Sequence, residues 1–290
     1  MKIAVLSDIH ANWIALQAVA ADIARWGADR VIVAGDTINR GPRPLECWQF
    51  VQEMRRAHGW HVLLGNHEEY ILEQARPGAP RRGPWAEVHQ ASYWTYCQVA
   101  AHISAIQALP FDLQLADPAG RAIRCTHASL CGTRDGIYHI TTDDELETKI
   151  GLTGCPNGAR SETAVPPGLF LVGHTHIPLV RRLNGTLVVN AGSAGIPFDG
   201  DTRPSYARLT WDCDRWQAEI ARVPYDLAAA ERDFTDSGYL AEAGPLIPLV
   251  VIELQQARPQ LGSWVDRFQK MALAGEISVA NSVRQFLNIG

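Results

Sequence analysis

The N-terminal stretch of residues 1–36 decides the fold, and its sequence is MKIAVLSDIHANWIALQAVAADIARWGADRVIVAGD. Residues 2–7 form a short apolar run that predicts a buried strand. From residue 12 to residue 26 apolar side chains recur at helical spacing, and Gly27 ends the predicted helix. A second apolar run at 30–35 predicts the next strand. This strand–helix–strand order is typical of a parallel sheet with right-handed connections.

The pattern repeats once more and then becomes mixed. A second helix is predicted over 44–59, opened by proline and closed by glycine, and a third strand over 60–65. The later predicted elements are a short helix at 68–75, an exposed loop at 75–85, a longer helix at 86–108, a hairpin turning at 118–120, a helix at 141–151, a strand at 169–173, a hairpin turning at 184–185, and two strands within 205–223. We therefore expect an α/β domain over 1–223 with insertions at about 68–110 and 128–168, followed by a helical C-terminal extension over 224–290.

The composition is that of an ordinary globular protein. The chain has 290 residues, of which 47% are hydrophobic and 20% are charged. A net charge of -5 argues against a broad nucleic-acid-binding surface. The sequence contains neither an apolar run of membrane-spanning length nor an N-terminal signal segment, so we expect no membrane association and a cytoplasmic location. The oligomeric state stays open.

The cysteines predict reduced thiols rather than a disulfide framework. They are scattered without a C-x-x-C pair, and several fall where a small apolar side chain suits a strand or helix. The six are Cys47, Cys97, Cys125, Cys131, Cys155 and Cys213.

Five predicted strands end in residue types that bind metals. In chain order these residues are Asp8 with His10, Asp36, Asn66, His127, and His174 with His176. In open α/β sheets, ligands bind beyond the carboxyl ends of the strands, so side chains at these ends can converge. Residues two apart in an extended segment share one face, which suits the Asp8/His10 and His174/His176 spacings. The sequence therefore predicts one metal site.

Each of these features is weak when taken alone. A single histidine after a strand is more often structural than a ligand, and glycine followed by Asp or Asn also occurs in turns and helix caps. The conjunction favours the metal site, because half of the ten histidines fall at these strand ends. They are His10, His67, His127, His174 and His176.

Five blocks of the sequence resemble the signature of the calcineurin-like metallophosphoesterases. They are DIH at 8–10, GDTINRGP at 35–42, GNHE at 65–68, THAS at 126–129 and GHTH at 173–176. The resemblance implies a four-layer α/β/β/α sandwich of two mixed sheets flanked by helices. It also implies a site for two divalent metal ions.

The resemblance assigns the ligands block by block. Asp8, His10 and His176 are expected to bind the first metal ion. Asn66, His127 and His174 are expected to bind the second ion, and Asp36 is expected to bridge both. Carboxylate, amide and imidazole ligands without thiolate suit Mn, Fe, Zn or Co, and the family commonly uses manganese or iron.

The resemblance also implies hydrolysis of phosphomonoesters or phosphodiesters by direct attack of a metal-bridging hydroxide. His67 is the candidate acid for the leaving oxygen, and Arg40 has the fork geometry that suits phosphate oxygens. The alternatives without a catalytic role are, for His67, a histidine that hydrogen-bonds to the metal ligands and, for Arg40, a loop arginine in solvent. Asn39, a candidate substrate-binding residue with Arg40, stands where the serine/threonine protein phosphatases, and their relatives that cleave dinucleoside tetraphosphates, usually carry aspartate. We expect its amide to accept a hydrogen bond from the imidazole without adding charge.

Several functions stay open within this resemblance. The small prokaryotic phosphodiesterases and phosphatases are favoured, with a small phosphorylated substrate. The alternatives are a serine/threonine protein phosphatase, a dinucleoside polyphosphate hydrolase, or a non-catalytic scaffold of the same fold, although all seven ligand positions are filled.

The segments outside the five blocks raise further alternatives. Arginines in 76–92 and 128–168 could hold a second phosphate, although a solvated loop is favoured; they are Arg76, Arg81, Arg82, Arg134 and Arg160. The aromatic group Tyr93, Trp94 and Tyr96 could stack on a base, but packing of a helix against the sheet is favoured. The C-terminal extension is expected to cover a face of the main domain, with dimerisation as the minority alternative.

Overall fold

The core of the molecule consists of two five-stranded mixed sheets. The computed structural model describes residues 1–155 and 165–289. The strands are β1 (Lys2–Leu6), β2 (Arg30–Val33), β3 (His61–Val62), β4 (Asp112–Ala116), β5 (Ala122–Thr126), β6 (Leu169–Val172), β7 (Leu179–Leu183), β8 (Thr186–Asn190), β9 (Ser205–Asp212) and β10 (Arg215–Arg222). The first sheet has the order β10-β9-β1-β2-β3, and the second has the order β4-β5-β6-β8-β7. β1, β2 and β3 are parallel to one another, as are β5, β6 and β8.

The helices flank the sheets or form the C-terminal extension. They are α1 (Trp13–Trp26), α2 (Pro44–His58), α3 (Asn66–Ala75), α4 (Pro84–Val88), α5 (Gln90–Val99), α6 (Ile103–Gln107), α7 (Asp143–Lys149), α8 (Leu227–Asp236), α9 (Tyr239–Glu242), α10 (Ile247–Gln256), α11 (Leu261–Trp264), α12 (Lys270–Leu273) and α13 (Val279–Ile289). Within the described ranges, none of these helices is long and apolar enough to cross a bilayer.

Strand alternation builds the layers. In β1, Ile3 and Val5 are buried between the two sheets, whereas Ala4 and Leu6 are buried under α1 and α2. The outer face of the second sheet buries Phe170 against the segment that contains α7. Because alternate side chains of a strand point to opposite faces, continuous apolar strands fill both interfaces at once. The predicted sandwich of two mixed sheets with flanking helices is confirmed.

The long helix predicted over 86–108 is wrong. α4 ends at Val88, and at His89 the backbone leaves helical geometry (φ -101°, ψ 15°) while the side-chain Nδ1 donates to the Trp85 carbonyl at 2.8 Å. α5 follows, and a 3-10 turn over Ala100–His102 separates it from α6. Apolar periodicity continues through both breaks, so it did not reveal them.

The prediction of mostly reduced thiols agrees with four of the six cysteines, whereas the other two form a disulfide. Cys131 and Cys155 form a disulfide with a Cα–Cα distance of 5.5 Å, although 24 residues separate them. The irregular chain on either side of α7 brings them together, and no short-range spacing marks such a pair. The other four cysteines are free.

The C-terminal extension packs on the main domain. Asp233 of α8 accepts hydrogen bonds from Arg43 at 2.7 and 3.1 Å. Trp94 of α5 packs edge-on against Tyr239 at 4.8 Å and donates to Glu242 at 3.0 Å. The aromatic group was predicted to pack on the sheet, and for Trp94 this is wrong, because its neighbours belong to α9. α5 belongs to the main domain, but the C-terminal extension packs against the face of this helix that carries Trp94.

Candidate metal centre

The first predicted ligand group meets at the carboxyl ends of β1 and β6. Asp8 Oδ1 lies 3.3 Å from His176 Nε2, and His10 Nε2 lies 3.0 Å from the same nitrogen. Asp8 Oδ2 accepts the backbone N–H of His174 at 2.8 Å, which ties the two strand ends together. Ligand atoms of Asp8, His10 and His176 are thus close enough to hold one cation.

The second predicted group lies beside the first. Asn66 Oδ1 is 2.9 Å from both His127 Nε2 and His174 Nδ1, and the two nitrogens are 3.3 Å apart. These three residues follow β3, β5 and β6, which belong to different sheets. This group therefore forms because the two sheets face each other.

Asp36 lies between the two groups. Its Oδ2 is 3.3 Å from His127 Nε2 and 3.7 Å from His10 Nε2, so one carboxylate oxygen faces a member of each group. Its Oδ1 accepts the backbone N–H of His67 at 2.9 Å. The structure brings all seven predicted ligand residues together, with Asp36 between the two groups.

The donor set fits divalent cations. His127 Nδ1 donates to the Ala34 carbonyl at 2.7 Å, and His176 Nδ1 donates to the Ile196 carbonyl at 2.5 Å. Each bond leaves the Nε2 lone pair directed into the cluster, because a carbonyl that accepts from one ring nitrogen fixes the orientation of the histidine. Asp8 Oδ1 is buried and has no hydrogen-bond partner among the described residues. A bound cation would satisfy this oxygen.

The electrostatics of the cluster favour positive charge. Burial alone would raise the pKa of Asp36, but His127 and His67 outweigh it and hold that pKa well below its usual range. Burial would lower the pKa of His127, yet the Asp36 carboxylate raises it to about 10. Burial, assisted by His127, lowers the pKa of His174 to about 4. The ionised Asp36 thus attracts either a proton on His127 or a metal ion.

Backbone conformation at the cluster is unusual. Five of the seven ligand residues have left-handed φ angles, which are strained in most residues and less so in Asp and His. They are Asp8 (55°), His10 (49°), Asp36 (55°), His174 (70°) and His176 (58°). Each strand end therefore turns sharply and aims its ligand into the cluster.

Glu68 is a functional residue that the sequence reasoning missed. Its carboxylate is fully buried and accepts four backbone N–H bonds of 2.8 to 3.2 Å, from Gly65, Asp36, Thr37 and Ile38. Burial and the Asp36 charge raise its pKa to about 7, against the opposing effect of these bonds. Glu68 ties the loop after β2 to the start of α3. Its place in the GNHE block was the available signal.

The glycines of the blocks permit close backbone approach. A Cβ at Gly173 would lie 1.9 Å from Ser7 Oγ and 2.5 Å from Asp8 Oδ2. We expect Gly173→Ala to displace Asp8 and to weaken metal binding by at least about tenfold, the scale seen when supporting residues of a metal site are altered. Metal titration of stripped protein checks this. Gly262→Ala is the control, because its Cβ would meet nothing within 4 Å, and equal affinity in both variants would contradict the expectation.

Asn39 and His67 are in contact, but not in the predicted sense. The Asn39 amide nitrogen donates to His67 Nδ1 at 3.0 Å and to Ser92 Oγ at 3.1 Å, while Thr95 Oγ1 donates to the amide oxygen at 3.4 Å. The amide was expected to accept from the imidazole. The hydroxyl groups of α5 set the opposite orientation, which leaves the proton of a neutral His67 on Nε2.

Arg40 lines the site but is held by the C-terminal extension. Its Nε and Nη2 donate to Glu253 Oε2 at 3.2 and 2.6 Å. Its guanidinium carbon lies 5.2 Å from the centre of the Phe198 ring, which stacks on His176 at 4.2 Å. Arg40 therefore contacts the metal cluster indirectly, through the Phe198 ring that packs on His176.

The loop arginines lie elsewhere. Arg81 donates to Gln74 and covers the Tyr93 ring at 4.3 Å, and Arg134 lies 3.1 Å from Glu69. None of the described arginines of this set lines the cavity over the metal cluster. Arg160 lies outside the described residues.

A cavity of about 420 Å³ opens over the cluster. Seven residues of the five blocks line it, namely Asp36, Asn39, Arg40, Asn66, His67, His174 and His176. The opposite side comes from α9, α10 and α11 and the turn that follows them.

Comparison with known proteins gives one family over most of the chain. A sequence profile of the calcineurin-like phosphoesterase superfamily domain matches residues 1–214. An uncharacterized protein of Methanocaldococcus jannaschii is 25% identical over 244 residues, which cover 79% of this chain and 89% of that protein. A symmetrical bis(5'-nucleosyl)-tetraphosphatase of Neisseria meningitidis is 33% identical over 84 residues, which cover 28% of this chain and 30% of that enzyme.

Two solved structures share the architecture. A metallophosphoesterase from Sphaerobacter thermophilus superposes with a TM-score of 0.64 at 27% identity, covering 89% of this chain and all of that one. A hypothetical protein from Pyrococcus horikoshii gives 0.68 at 16% identity, covering 89% of this chain and 99% of that one. The second likeness shows the fold alone.

Proposed function

Because the chain belongs to the calcineurin-like phosphoesterase superfamily and is a phosphoesterase, we propose that it hydrolyses small phosphomonoesters or phosphodiesters at a dinuclear metal centre. The observation that carries this proposal is the meeting of Asp8, His10, Asp36, Asn66, His127, His174 and His176 within one cluster. Two ions of Mn, Fe, Zn or Co suit these ligands. For the compartment, cytoplasm stays the sequence prediction, and the Cys131–Cys155 disulfide is the feature that speaks against it.

The residues around the cluster divide the remaining work. Metal ions held there would acidify a water molecule and neutralise charge on the phosphoryl oxygens. His67 lines the cavity, and its ring lies 4.6 Å from that of His10, so it stands beside the cluster where a leaving oxygen departs. Asn39 keeps the His67 proton on Nε2, the nitrogen available to donate. We propose His67 as the acid and no covalent enzyme intermediate.

Loss of His67 is expected to depend on the leaving group. His67→Ala should lower kcat/KM for alkyl phosphates by about 10²- to 10⁴-fold, the usual contribution of a general acid. For p-nitrophenyl phosphate the loss should be much smaller, because that leaving group needs little protonation. A steady-state series over leaving groups checks this, with His102→Ala as the control. Equal losses across the series would remove His67 from the acid role.

Glu253 orients Arg40 toward the substrate in this proposal. Glu253 is fully buried, and its Oε1 accepts the backbone N–H groups of Gln260 and Leu261 at 2.8 and 2.9 Å. This carboxylate is therefore fixed and cannot follow Arg40. Arg40 Nη1 has no hydrogen bond within the described residues and stays available for a phosphoryl oxygen.

A double-mutant cycle tests this pairing. Arg40→Ala should lower kcat/KM by about 10²-fold, the scale of losing one charge-stabilising donor. Glu253→Gln should lower it by about tenfold in wild type but little further in the Arg40→Ala background, because the two act as a unit. Asp233→Asn breaks the comparable Arg43–Asp233 bridge outside the cavity and is the control. Independent, additive losses would contradict the pairing.

The alternatives differ in substrate size. The short match to bis(5'-nucleosyl)-tetraphosphatases favours a dinucleoside polyphosphate hydrolase as the second candidate. Asn39, in place of the aspartate usual in those relatives, speaks against it. A protein phosphatase is less suited still, because the C-terminal extension forms one side of the cavity, whose volume of about 420 Å³ suits a small ester better than a phosphoprotein.

One hydrolysis panel tests the proposed function. Metal-stripped protein is assayed with Mn²⁺, Fe²⁺, Zn²⁺ or Co²⁺ on monoesters, diesters, dinucleoside polyphosphates and phosphopeptides. We expect metal-dependent hydrolysis of small esters to exceed that of phosphopeptides. Preferred hydrolysis of dinucleoside polyphosphates would support the second candidate, and no hydrolysis with any ion would favour the scaffold.

A further inference from the structure

The cavity over the metal cluster has two chemically different sides. One side is polar and includes the seven residues of the five blocks that line the cavity. The other side comes from the C-terminal extension. Its apolar residues, here called the apolar wall, are Tyr239, Leu246, Ile247, Val250, Leu261, Trp264 and Val265, and the polar Gln269 lines the cavity beside them. A substrate whose phosphorus lay at the cluster would have the apolar wall on the opposite side of the cavity.

The polar atoms near the apolar wall are mostly engaged elsewhere. Trp264 Nε1 donates to Ser282 Oγ at 3.0 Å, on the side of the extension's own core. The Glu253 carboxylate is occupied by Arg40 and two backbone amides. The wall thus offers mainly carbon surface, and Val265 is 42% exposed.

Tyr239 differs from the other residues of the apolar wall, because its polar atom is not engaged elsewhere. The residue is fully buried, and its ring packs against Trp94 at 4.8 Å and Phe234 at 5.7 Å. Its hydroxyl has no hydrogen-bond partner among the described residues, although buried hydroxyls almost always have one. Since Tyr239 lines the cavity, an acceptor atom of a bound ligand would supply the missing hydrogen-bond partner of its hydroxyl.

Resting on the proposed function, we propose that the C-terminal extension forms the binding site for the leaving group of the substrate. The group it fits is compact and largely apolar, such as a single aromatic ring, and Tyr239 donates a hydrogen bond to the bound ester. The cavity volume of about 420 Å³ lies near the lower end of the range of about 300–1,000 Å³ for small-molecule sites. A mixed lining of carbon surface with a few polar groups is usual in such sites.

Binding of two non-hydrolysable phosphonates tests the proposal. Benzylphosphonate presents a ring to the wall, and methylphosphonate does not. By calorimetry on metal-loaded wild-type protein, we expect benzylphosphonate to bind at least about tenfold more tightly, the effect of burying one ring. Val265→Asn should reduce this preference several-fold. Leu273→Asn is the control, because Leu273 is similarly exposed at 41% but lies outside the cavity.

Tyr239→Phe separates a binding role from a structural one. Removal of an unpartnered hydroxyl should leave the melting temperature unchanged or raise it, while benzylphosphonate binding weakens roughly 3- to 10-fold. Unchanged binding in Tyr239→Phe would overturn the role of its hydroxyl. Equal affinity of the two phosphonates, or a preference untouched by Val265→Asn, would overturn the leaving-group site. A protein that keeps the phosphonate preference but hydrolyses no ester would instead contradict the proposed function.

Discussion

Asp36→Asn will lower kcat/KM for p-nitrophenyl phosphate by at least about 10³-fold while the chain stays folded. The carboxylate faces one histidine of each ligand group, at 3.3 Å from His127 and 3.7 Å from His10, so it is the residue proposed to bridge both metal ions. An amide of the same shape removes the negative charge that binds the cations. Since the metal ions supply several kcal/mol of transition-state stabilisation, their loss corresponds to this factor.

Kinetics and metal analysis of the same preparation check this prediction. Asp236→Asn on the exposed end of α8 is the control and should keep full activity and full metal content. Circular dichroism should show the same fold for both variants. An Asp36→Asn protein that still hydrolyses the aryl ester at the wild-type rate would show that the site is elsewhere.

Glu68→Ala is expected to have the largest effect on stability. Four buried backbone N–H groups would lose the one acceptor that the described residues give them, and each unsatisfied buried group costs about 1–3 kcal/mol. We expect the free energy of unfolding to fall by at least about 3 kcal/mol, because water can reach only part of the emptied space. Metal binding should weaken as well, since Asp36 and Asn66 lie on the two segments that Glu68 joins.

Equilibrium denaturation with urea measures the effect. Glu87→Ala, at an exposed position of α4, should change stability by less than about 0.5 kcal/mol, as most surface substitutions do. If Glu68→Ala unfolded at the same urea concentration as this control, Glu68 would not hold the two segments together.

The sandwich and its ligand cluster could be predicted because short local stretches of the sequence indicate both. Apolar runs of four to six residues mark β1, β2 and β6. A ligand directly follows each of these runs, and the parallel arrangement then brings the strand ends together. Glycine directly precedes Asp36, Asn66 and His174, and the contacts that a Cβ at Gly173 would make with Ser7 and Asp8 show that this glycine permits close approach of the backbone.

The features that were missed depend on contacts between distant residues. Arg40 and Glu253 are 213 positions apart, and the interaction exists only because α10 packs over the loop after β2. The Cys131–Cys155 disulfide and the packing of Trp94 against Tyr239 arise in the same way. Periodicity describes one helix or strand at a time, so it cannot place two of them against each other. The hydrogen bonds of Glu68 were missed for a related reason, since they reach backbone atoms on the loop after β2.

Metal stoichiometry of the wild-type chain tests the central claim most directly. Metal-stripped protein is saturated with Mn²⁺, freed of unbound ions and analysed by mass spectrometry for metal per chain. We expect close to two ions per folded chain, falling to one or fewer in Asp36→Asn. A folded wild-type chain that retains no tightly bound ion, or that retains the same number after this substitution, would contradict a dinuclear centre bridged by Asp36.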